Sequence, residues 1–358
     1  MTELLVAAGP VFSVGGETKG ELARDCQFLR IEETTGGLRA LEMELTAIGP
    51  DPGGTESLLW LDAAILDFGT EFEVALGAPD EARKVFRGLV SALEVRHADG
   101  RPPVVVVYAE DAMMSLRQTR RSRTYRDTSD ADIASRIAQD HGLEADVQAQ
   151  GPTYDVVHQW NQSDLAFLRM RGRLLQAEVW VEEGTLHFAT RGARSGTELS
   201  LTMGYDLMRC DIRADLAHQR SAVTVSGYDA SRRERIEERA GGDVVQAEIS
   251  GGRTGPDVLE QAFGQRVSHR VREAPLTSDE AGRWAEAEML RRARGFVTAT
   301  GVTRGSPDMV VGSRLTLNGV GGPFEGEGWY VTTLCHTWDL TEGFRTRFQA
   351  ERATVNDQ

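Results

Sequence analysis

Apolar and polar residues alternate with a period of two in the last quarter of the chain, which predicts β-strands over residues 295–352. In residues 344–350, every second side chain would face an apolar core and those between would face water. Residues 329–338 are rich in β-branched and aromatic types, which suit a pleated sheet. Turns containing glycine and proline separate them from a strand predicted at residues 312–317. We therefore expect a β-domain at the end of the chain.

A weaker copy of this pattern occurs near the start of the chain. Residues 69–74 resemble residues 312–317 in their order of a glycine, two polar residues and alternating apolar residues. The apolar segment 104–108 then stands where residues 344–348 stand. Between these segments each copy has a phenylalanine and a glycine two residues apart: Phe86 and Gly88, then Phe324 and Gly326. The shared order predicts one small β-domain used twice.

Capping residues predict three helices between the strands. The first follows a cap at Thr128 or Ser129 and ends at Gly142, with acidic residues in its first turn. The second follows Ser163, and a hairpin is expected over residues 178–188 after it. The third begins after Thr277, where a glutamate three residues on can complete a capping box. These elements predict α+β insertions in a mainly β chain.

The expected fold class is α+β, mainly β, with two related β-barrel domains that carry α+β insertions. A charged and then glycine-rich segment, residues 231–255, is expected to be an exposed loop. The predicted domains are a first barrel at 1–112, an insertion at 113–200, the start of a second barrel at 201–240, the rest of the insertion with its Gly-rich loop and helix at 241–295, and the rest of the second barrel at 296–358.

Composition excludes some classes of function. The chain has 358 residues, 40% of them hydrophobic and 27% charged, which predicts a soluble protein with at least two cores. A net charge of −15 argues against nucleic-acid recognition, which needs a basic surface to neutralise phosphates. No apolar run approaches the roughly 20 residues of a membrane span, and the N-terminus lacks the basic flank of a secretion signal, so synthesis and assembly in the cytoplasm are expected.

Residues with reactive or metal-binding side chains do not form a recognisable catalytic pattern. The three cysteines are far apart, and Cys335 and His336 would face opposite sides of one strand, so we expect no disulfide framework, metal or cofactor. His336 is expected to be hydrogen-bonded within a sheet. Glu110 and Asp111 are acidic neighbours in a chain with many acidic pairs. Five arginines are expected at a solvated or partner-facing edge: Arg117, Arg120, Arg121, Arg123 and Arg126. The chain is therefore predicted not to be an enzyme.

Three groups of residues, called the signature groups below, resemble in their order along the chain the phage late control protein D family, the baseplate hub of contractile tails. The chain is also similar to the N-terminal part of the valine–glycine-repeat spike proteins of type VI secretion. The first group is Phe86, Gly88 and Asp111. The second is Ser163, Asp164, Phe167 and Leu168. The third is Pro307, Gly312, Phe324, Gly326, Tyr330, Val331, His336, Phe344, Thr346 and Phe348.

This resemblance implies a structural protein of a phage tail or a phage-tail-like injection particle. It implies a homotrimer in which two barrels per chain form a pseudo-six-fold ring, an adaptor between a hexameric inner tube and a trimeric spike. The implied partners are the inner tube protein, a spike protein and other baseplate proteins. Because the sequence stops at Gln358, directly after the predicted second barrel, we expect the spike to be a separate protein.

Two other functions are compatible with the same sequence. One is a tail-associated cell-wall hydrolase or peptidase, which would act through a carboxylate or through His336. The other is a β-protein that binds carbohydrate or another ligand in a groove lined by exposed Trp329 or Trp338. We expect these tryptophans to lie in a barrel interior or in a contact between subunits instead.

Overall fold

The computed structural model describes residues 9–50, 56–78, 82–229, 232–271 and 277–357. The chain divides into two compact units. The first unit comprises Met1–Met114, Val302–Val311 and Thr333–Phe348. The second unit comprises Ser115–Gly301, Gly312–Thr332 and Gln349–Gln358.

Strands dominate the N-terminal part of the chain. The elements there are β1 Val11–Val14, β2 Glu17–Thr18, α1 Gly20–Asp25, β3 Cys26–Thr34, β4 Ala40–Thr46, β5 Ile48–Pro50, β6 Glu56–Leu58, β7 Glu71–Leu76, β8 Arg83–Ala98, β9 Arg101–Glu110 and α2 Met114–Gln118. Strand β4 shows why they form: Leu41, Met43 and Leu45 alternate with polar residues and are fully or almost fully buried. Burying each such side chain stabilises the fold by roughly 1.5–3 kcal/mol.

Helices and strands alternate in the middle of the chain. The elements are β10 Arg120–Thr128, α3 Asp130–Asp140, β11 Glu144–Val147, β12 Tyr154–Ser163, α4 Asp164–Leu175, β13 Ala177–Glu182 and β14 Thr185–Thr190. Helix α3 is capped by Ser129 in a capping box with Asp132, and α4 is capped by Ser163. The predicted hairpin is β13 and β14, which pair from Ala177↔Thr190 to Glu182↔Thr185. The helix starts expected from the sequence are therefore confirmed.

The C-terminal part of the chain returns to strands around one long helix. Its elements are β15 Glu198–Thr202, β16 Leu207–Ala214, β17 Ala222–Asp229, β18 Glu234–Gly241, α5 Asp243–Gln246, β19 Arg253–Thr254, α6 Gly255–Phe263, β20 Val267–Arg270, α7 Ser278–Arg294, β21 Val297–Thr303, β22 Arg314–Asn318, β23 Gly326–Asp339, β24 Gly343–Arg352 and β25 Thr354–Val355. Helix α7 starts with the predicted capping box of Thr277 and Glu280. Strands β23 and β24 provide residues 333–348 to the first unit and their remaining residues to the second.

The segment predicted to be one exposed loop, residues 231–255, contains regular structure instead. Strand β18 pairs with β17 from Ala222↔Gly241 to Asp229↔Glu234. Its sparse apolar residues, Ile236 and Ala240, are buried in the core that α7 covers. The sequence does not reveal this strand, because its exposed face is almost entirely charged.

Within each unit the strands pair side by side in an order that does not close on itself. In the first unit the order is β24-β23-β3-β4-β9-β8-β7-β1-β2. In the second unit the long order is β16-β21-β24-β23-β22-β15. No sheet among the described residues is closed, so the predicted pair of barrels is not confirmed.

One succession of strands nevertheless occurs twice. The order β3-β4-β9-β8-β7-β1 in the first unit matches the order β16-β21-β24-β23-β22-β15 in the second. If the six strands of each set are numbered by their order in the sequence, strands with the same number occupy the same place in the two sheet orders. One difference is that β1 is antiparallel to β7, whereas β15 is parallel to β22.

The same pair of backbone hydrogen bonds marks equivalent residues in the two sets. The Gly69 amide donates to the Val90 carbonyl over 2.8 Å, and the Val90 amide donates to the Thr70 carbonyl over 3.0 Å. In the second set, the Gly312 amide donates to the Val331 carbonyl over 2.9 Å, and the Val331 amide donates to the Ser313 carbonyl over 3.0 Å. Val90 therefore corresponds to Val331. The sequence comparison that paired Phe86 with Phe324 was three residues out of this register.

Candidate functional site

Gly88 and Phe86, from the first signature group, pack in the core of the first unit. The Phe86 ring is fully buried. A Cβ atom on Gly88 would lie 2.3 Å from the carbonyl oxygen of Glu110 on the neighbouring strand β9. Glycine is therefore needed here because two backbones approach closely, and the pair has a packing role.

Asp111, the last residue of that group, terminates β9 with hydrogen bonds. Its carboxylate accepts from the backbone amides of Arg39, over 2.8 Å, and Met113, over 3.0 Å. Burial raises the pKa of Asp111 to about 6, although the two amide donors favour the charged form. The Arg39 side chain donates instead to Glu33, over 2.6–2.9 Å. The arrangement joins the end of β9 to the start of β4.

The second signature group builds a polar cluster under the start of α4. The Asp164 side chain is only 1% exposed. Its carboxylate accepts a hydrogen bond from Nε2 of Gln159 over 2.8 Å and contacts Nε2 of His141 at 2.9 Å. Nε of Arg121 lies 3.3 Å away. Buried charge is tolerated here because several polar partners surround it.

Arginines of the predicted basic edge are partly used within the chain. Besides the Arg121 contact with Asp164, Nη1 of Arg123 donates to Asp140 over 2.7 Å. Nη1 of Arg120 donates to the carbonyl of Asn161 over 3.2 Å. These contacts join β10 to its neighbours, so the edge is not simply a solvated one.

Phe167 and Leu168, the remaining members of the second group, are fully buried. The Phe167 ring stacks on Tyr125 of β10, with ring centroids 5.9 Å apart and an angle of 12° between the planes. In helix α4, Asp164 of the first turn therefore joins the polar cluster, while Phe167 and Leu168 face the core.

A second buried cluster, which sequence reasoning missed, joins α3 to α4. Asp130 is 1% exposed and forms a two-point ion pair with Arg171, including an Nη2–Oδ2 contact of 3.0 Å. The Tyr154 hydroxyl donates to the same carboxylate over 3.0 Å, and the Arg171 guanidinium lies 4.5 Å from the Tyr154 ring centroid. The sequence suggested only a first-turn role for Asp130, because its partners are 24 and 41 residues away.

Tyr330, of the third group, lies between two arginines in the second unit. Its ring centroid is 4.0 Å from the Arg191 guanidinium and 4.5 Å from that of Arg314. Its hydroxyl donates to Oε2 of Glu178 over 2.7 Å, and Arg194 donates to the same oxygen over 2.9 Å. Burial raises the pKa of Tyr330, so the hydroxyl stays protonated and remains a donor.

Tyr330, Arg191 and Arg314 border a polar cleft of about 310 Å³ within the second unit. Its cations are held by internal contacts: Arg191 pairs with Glu351, and Nε of Arg294 donates to Glu248 over 2.7 Å. Arg314 donates over 2.9 Å to the carbonyl of Arg191. The charges therefore connect strands and loops of one unit. The lining residues with charged side chains are Arg191, Glu248, Arg294, Arg314, Glu327, Glu351 and Arg352.

Arg352 organises the turn that contains Phe324 and Gly326. Its guanidinium donates to the carbonyls of Phe324, over 3.3 Å, and Glu325, over 3.0 Å. Gly326 has φ +94, a backbone angle that favours glycine. Nothing lies near the place of a Cβ on Gly326, so the requirement for glycine comes from the backbone angle.

Four more members of the third group have backbone or packing roles: Gly312, Val331, Phe348 and Pro307. Gly312 has φ +97, and a Cβ there would lie 3.0 Å from side-chain carbons of Arg194. Val331 and Phe348 are buried, and Pro307 is half-buried. None of these side chains is a hydrogen-bonding or titratable group.

His336 belongs to a buried network in the first unit. It is 2% exposed, and its Nδ1 lies 3.0 Å from Oγ1 of Thr346, which also accepts from the Ser306 amide over 2.9 Å. The ring of Phe344 lies 5.5 Å away and packs against Gly305. Burial lowers the pKa of His336 to about 3, with a smaller contribution from the charge of Arg39. The prediction of a hydrogen-bonded sheet histidine is confirmed.

The low pKa of His336 makes stability dependent on pH. The unfolded chain, with an ordinary histidine pKa of 6.5, binds a proton below that pH, whereas folded His336 does not. Folding stability is therefore lost as pH falls below 6.5. Between pH 6.5 and 4.5 we expect the wild type to lose about 2 kcal/mol of unfolding free energy relative to His336→Asn.

Urea unfolding of both proteins at several pH values checks this expectation. The raised pKa of Asp111 acts in the opposite direction, but Asp111 is present in both proteins and its contribution cancels. A constant difference between the two proteins over this pH range would contradict the assignment of a buried neutral imidazole.

Residues named for the two alternative functions are buried. The hydrolase interpretation would act through a carboxylate or through His336, and of these His336 is enclosed in the core. The ligand-binding interpretation required exposed indoles, but Trp329 and Trp338 are both buried. Among the described residues, no group of three or more histidine, cysteine or acidic side chains could hold a metal ion. None of the helices that the structure describes is long and apolar enough to cross a membrane.

Comparison with known proteins gives one family and a consistent set of folds. Residues 58–339 match the family model described as the Alg8 N-terminal domain. No curated protein matches the sequence. Among solved structures, the 43 kDa tail protein of prophage MuSo2 from Shewanella oneidensis superposes with a TM-score of 0.68, at 13% identity over 97% of this chain and 98% of that one.

Two further structures extend this likeness. The tail protein from Neisseria meningitidis MC58 has a TM-score of 0.66, at 13% identity over 96% of both chains. The E. coli c3393 protein, a type VI secretion component with structural similarity to the T4 bacteriophage tail proteins gp27 and gp5, has a TM-score of 0.55, at 11% identity over 97% of this chain and 77% of that one. At these identities the likeness establishes the fold, which is that of phage tail proteins and type VI secretion components.

Proposed function

The chain belongs to the family of the Alg8 N-terminal domain, and we propose that it is a structural baseplate hub of a contractile phage tail or a phage-tail-like injection particle. The proposed hub adapts a hexameric inner tube to a trimeric spike. The fold that it shares with tail proteins supports a structural role. The specific resemblance to the late control protein D family belongs to this proposal.

The observation that carries the proposal is the strand order that occurs twice. If one chain contains two related β-domains, three chains contain six, and a three-fold assembly can then present six similar surfaces to a tube. The matched hydrogen bonds of Val90 and Val331 support this duplication at the level of single residues. A stable hub of this kind needs interfaces of roughly 2,000 Å² or more.

Under the proposed function, the signature residues share a structural role. They pack strands together or hold turns, as Gly88, Asp164 and Gly326 illustrate, so their substitution should act on the fold and thereby on assembly. The proposed partners are further copies of the chain, the inner tube protein, a spike and other baseplate proteins. The proposed location is the tail of the particle.

The mass of the assembly in solution tests the proposal. We expect light scattering of the purified chain alone to give three times the 39.3 kDa of one chain. After mixing with tube and spike proteins from the same particle, we expect a heavier complex that contains three copies of the chain. Electron microscopy of assembled particles should place these three copies between tube and spike. A chain that stays monomeric at high concentration with both proteins present would refute the hub.

A further inference from the structure

Two strand edges have segments with which no described strand pairs. Strand β7 pairs with β8 only from Leu76↔Arg83 to Glu71↔Leu89, while β9 pairs along the other edge of β8 to Ala98. In the part of the chain that the structure describes, no strand pairs with residues 92–98 on the β7 side. Strand β16 likewise has β21 on one edge and no described strand on the other. Open edges are sites where another chain can add a strand.

The duplicated strand order identifies the paired strand edges to which these two open edges correspond. Strand β16 holds the position of β3, and β8 holds the position of β23. In the first unit, β3 pairs with residues 333–339 of β23, antiparallel, from Phe28↔Asp339 to Thr34↔Thr333. Since Val90 corresponds to Val331, residues 92–98 of β8 correspond to residues 333–339 of β23. The two open edges are thus the equivalents of two edges that are paired.

We propose that β16 of one copy pairs, antiparallel, with residues 92–98 of β8 in a second copy, and that this contact closes the ring. The proposal rests on the hub function, which requires several copies, and it specifies their interface. Because β16 and β8 are different surfaces, the contact is head-to-tail, which generates a closed ring when the rotation between copies fits.

The pattern of burial sets the register of the proposed pair. In β3 the residues Cys26, Leu29 and Ile31 face inward, and Leu207, Cys210 and Ile212 have the same spacing and are the least exposed residues of β16. Matching these positions makes Ile212 the equivalent of Ile31. Because Ile31 pairs with His336 in the first unit, Ile212 would pair with the equivalent of His336 in β8, which is Val95.

This register brings opposite charges together on both sides of the apolar pair. Asp211 would face Arg96, and Arg213 would face Glu94. The Arg213 side chain is 77% exposed and the Glu94 side chain 44% exposed in the single chain, so both can accept a partner. Opposite charges directly across two strands stabilise the pair, and like charges destabilise it. The burial pattern fixed the register without reference to charge, so the charge match is an independent agreement.

Cysteine cross-linking tests the contact. In a background that carries Cys210→Ser, Val95→Cys and Ile212→Cys should form a disulfide between copies, because directly opposed strand residues lie within disulfide range. Under mild oxidation we expect covalent dimers and trimers that stop at three copies. The control combines Val95→Cys with Tyr228→Cys, an exposed position on a different sheet, and should remain uncross-linked.

A charge exchange gives a second measurement of the same contact. Arg213→Glu places two carboxylates opposite each other and should raise the concentration needed for trimer formation severalfold, and adding Glu94→Arg should restore it. Trimers by light scattering without the Val95–Ile212 disulfide would overturn this strand pairing and leave the hub function standing. A chain that is monomeric and uncross-linked in every mixture would overturn both.

Discussion

Replacing Asp130 by alanine is expected to lower the free energy of unfolding of the second unit by about 3–5 kcal/mol. The substitution leaves the Arg171 guanidinium, 8% exposed, without its carboxylate partner in the interior. It also removes the acceptor for the Tyr154 hydroxyl. A buried charge that loses its counter-charge costs more than the ion pair itself contributes, because the desolvation penalty remains.

Urea denaturation of the variant checks this value against a matched exposed pair. Asp140→Ala removes the partner of Arg123 at a more accessible site at the other end of the same helix, and should cost at most about 1 kcal/mol. Equal losses for Asp130→Ala and Asp140→Ala would show that the Asp130 cluster is hydrated rather than buried. Replacing both charges, by Asp130→Leu with Arg171→Met, should cost less than Asp130→Ala alone, since no buried charge is then left unpaired.

Phe167→Ala is expected to cost about 3–5 kcal/mol of unfolding free energy. The ring is fully buried between α4 and the strands beneath it, and it stacks on Tyr125. Alanine would leave a cavity that the neighbouring strand pair β10–β12 can fill only by moving, because that pair is held by backbone hydrogen bonds along its length.

The control for this cavity lies on the same helix. Met170 is 36% exposed, so Met170→Ala should cost less than about 1 kcal/mol while changing helix propensity very little. Thermal or urea unfolding of both variants provides the comparison. A small loss for Phe167→Ala would mean that the helix can shift to refill the space, and it would weaken the assignment of Phe167 to a rigid core.

The effect of these two variants on assembly follows from their place in the fold. Asp130 and Phe167 lie in the part of the second unit between β10 and β14, away from the sequence positions of β8 and β16. At temperatures where the variants remain folded, the proposed trimer should still form. Loss of trimer at those temperatures would place the second unit's α+β region in the interface.

Local features were determined by the sequence on its own. Ser129, Ser163 and Thr277 cap their helices because a short polar side chain can accept a hydrogen bond from a free amide of the first turn, whatever surrounds the helix. Alternation predicted β24 because strand side chains point to opposite faces.

Contacts between distant residues were decided only by the tertiary structure. Nothing near Asp130 in sequence identifies Arg171 as its partner, and the charged segment of β18 becomes a strand because β17 and α7 cover its two apolar residues. The repeat was visible in the sequence, but its register was not, because backbone hydrogen bonds rather than phenylalanine and glycine positions align Val90 with Val331. Side-chain patterns record which face is buried, whereas the choice of partner depends on where the rest of the chain places its free donors, acceptors and charges.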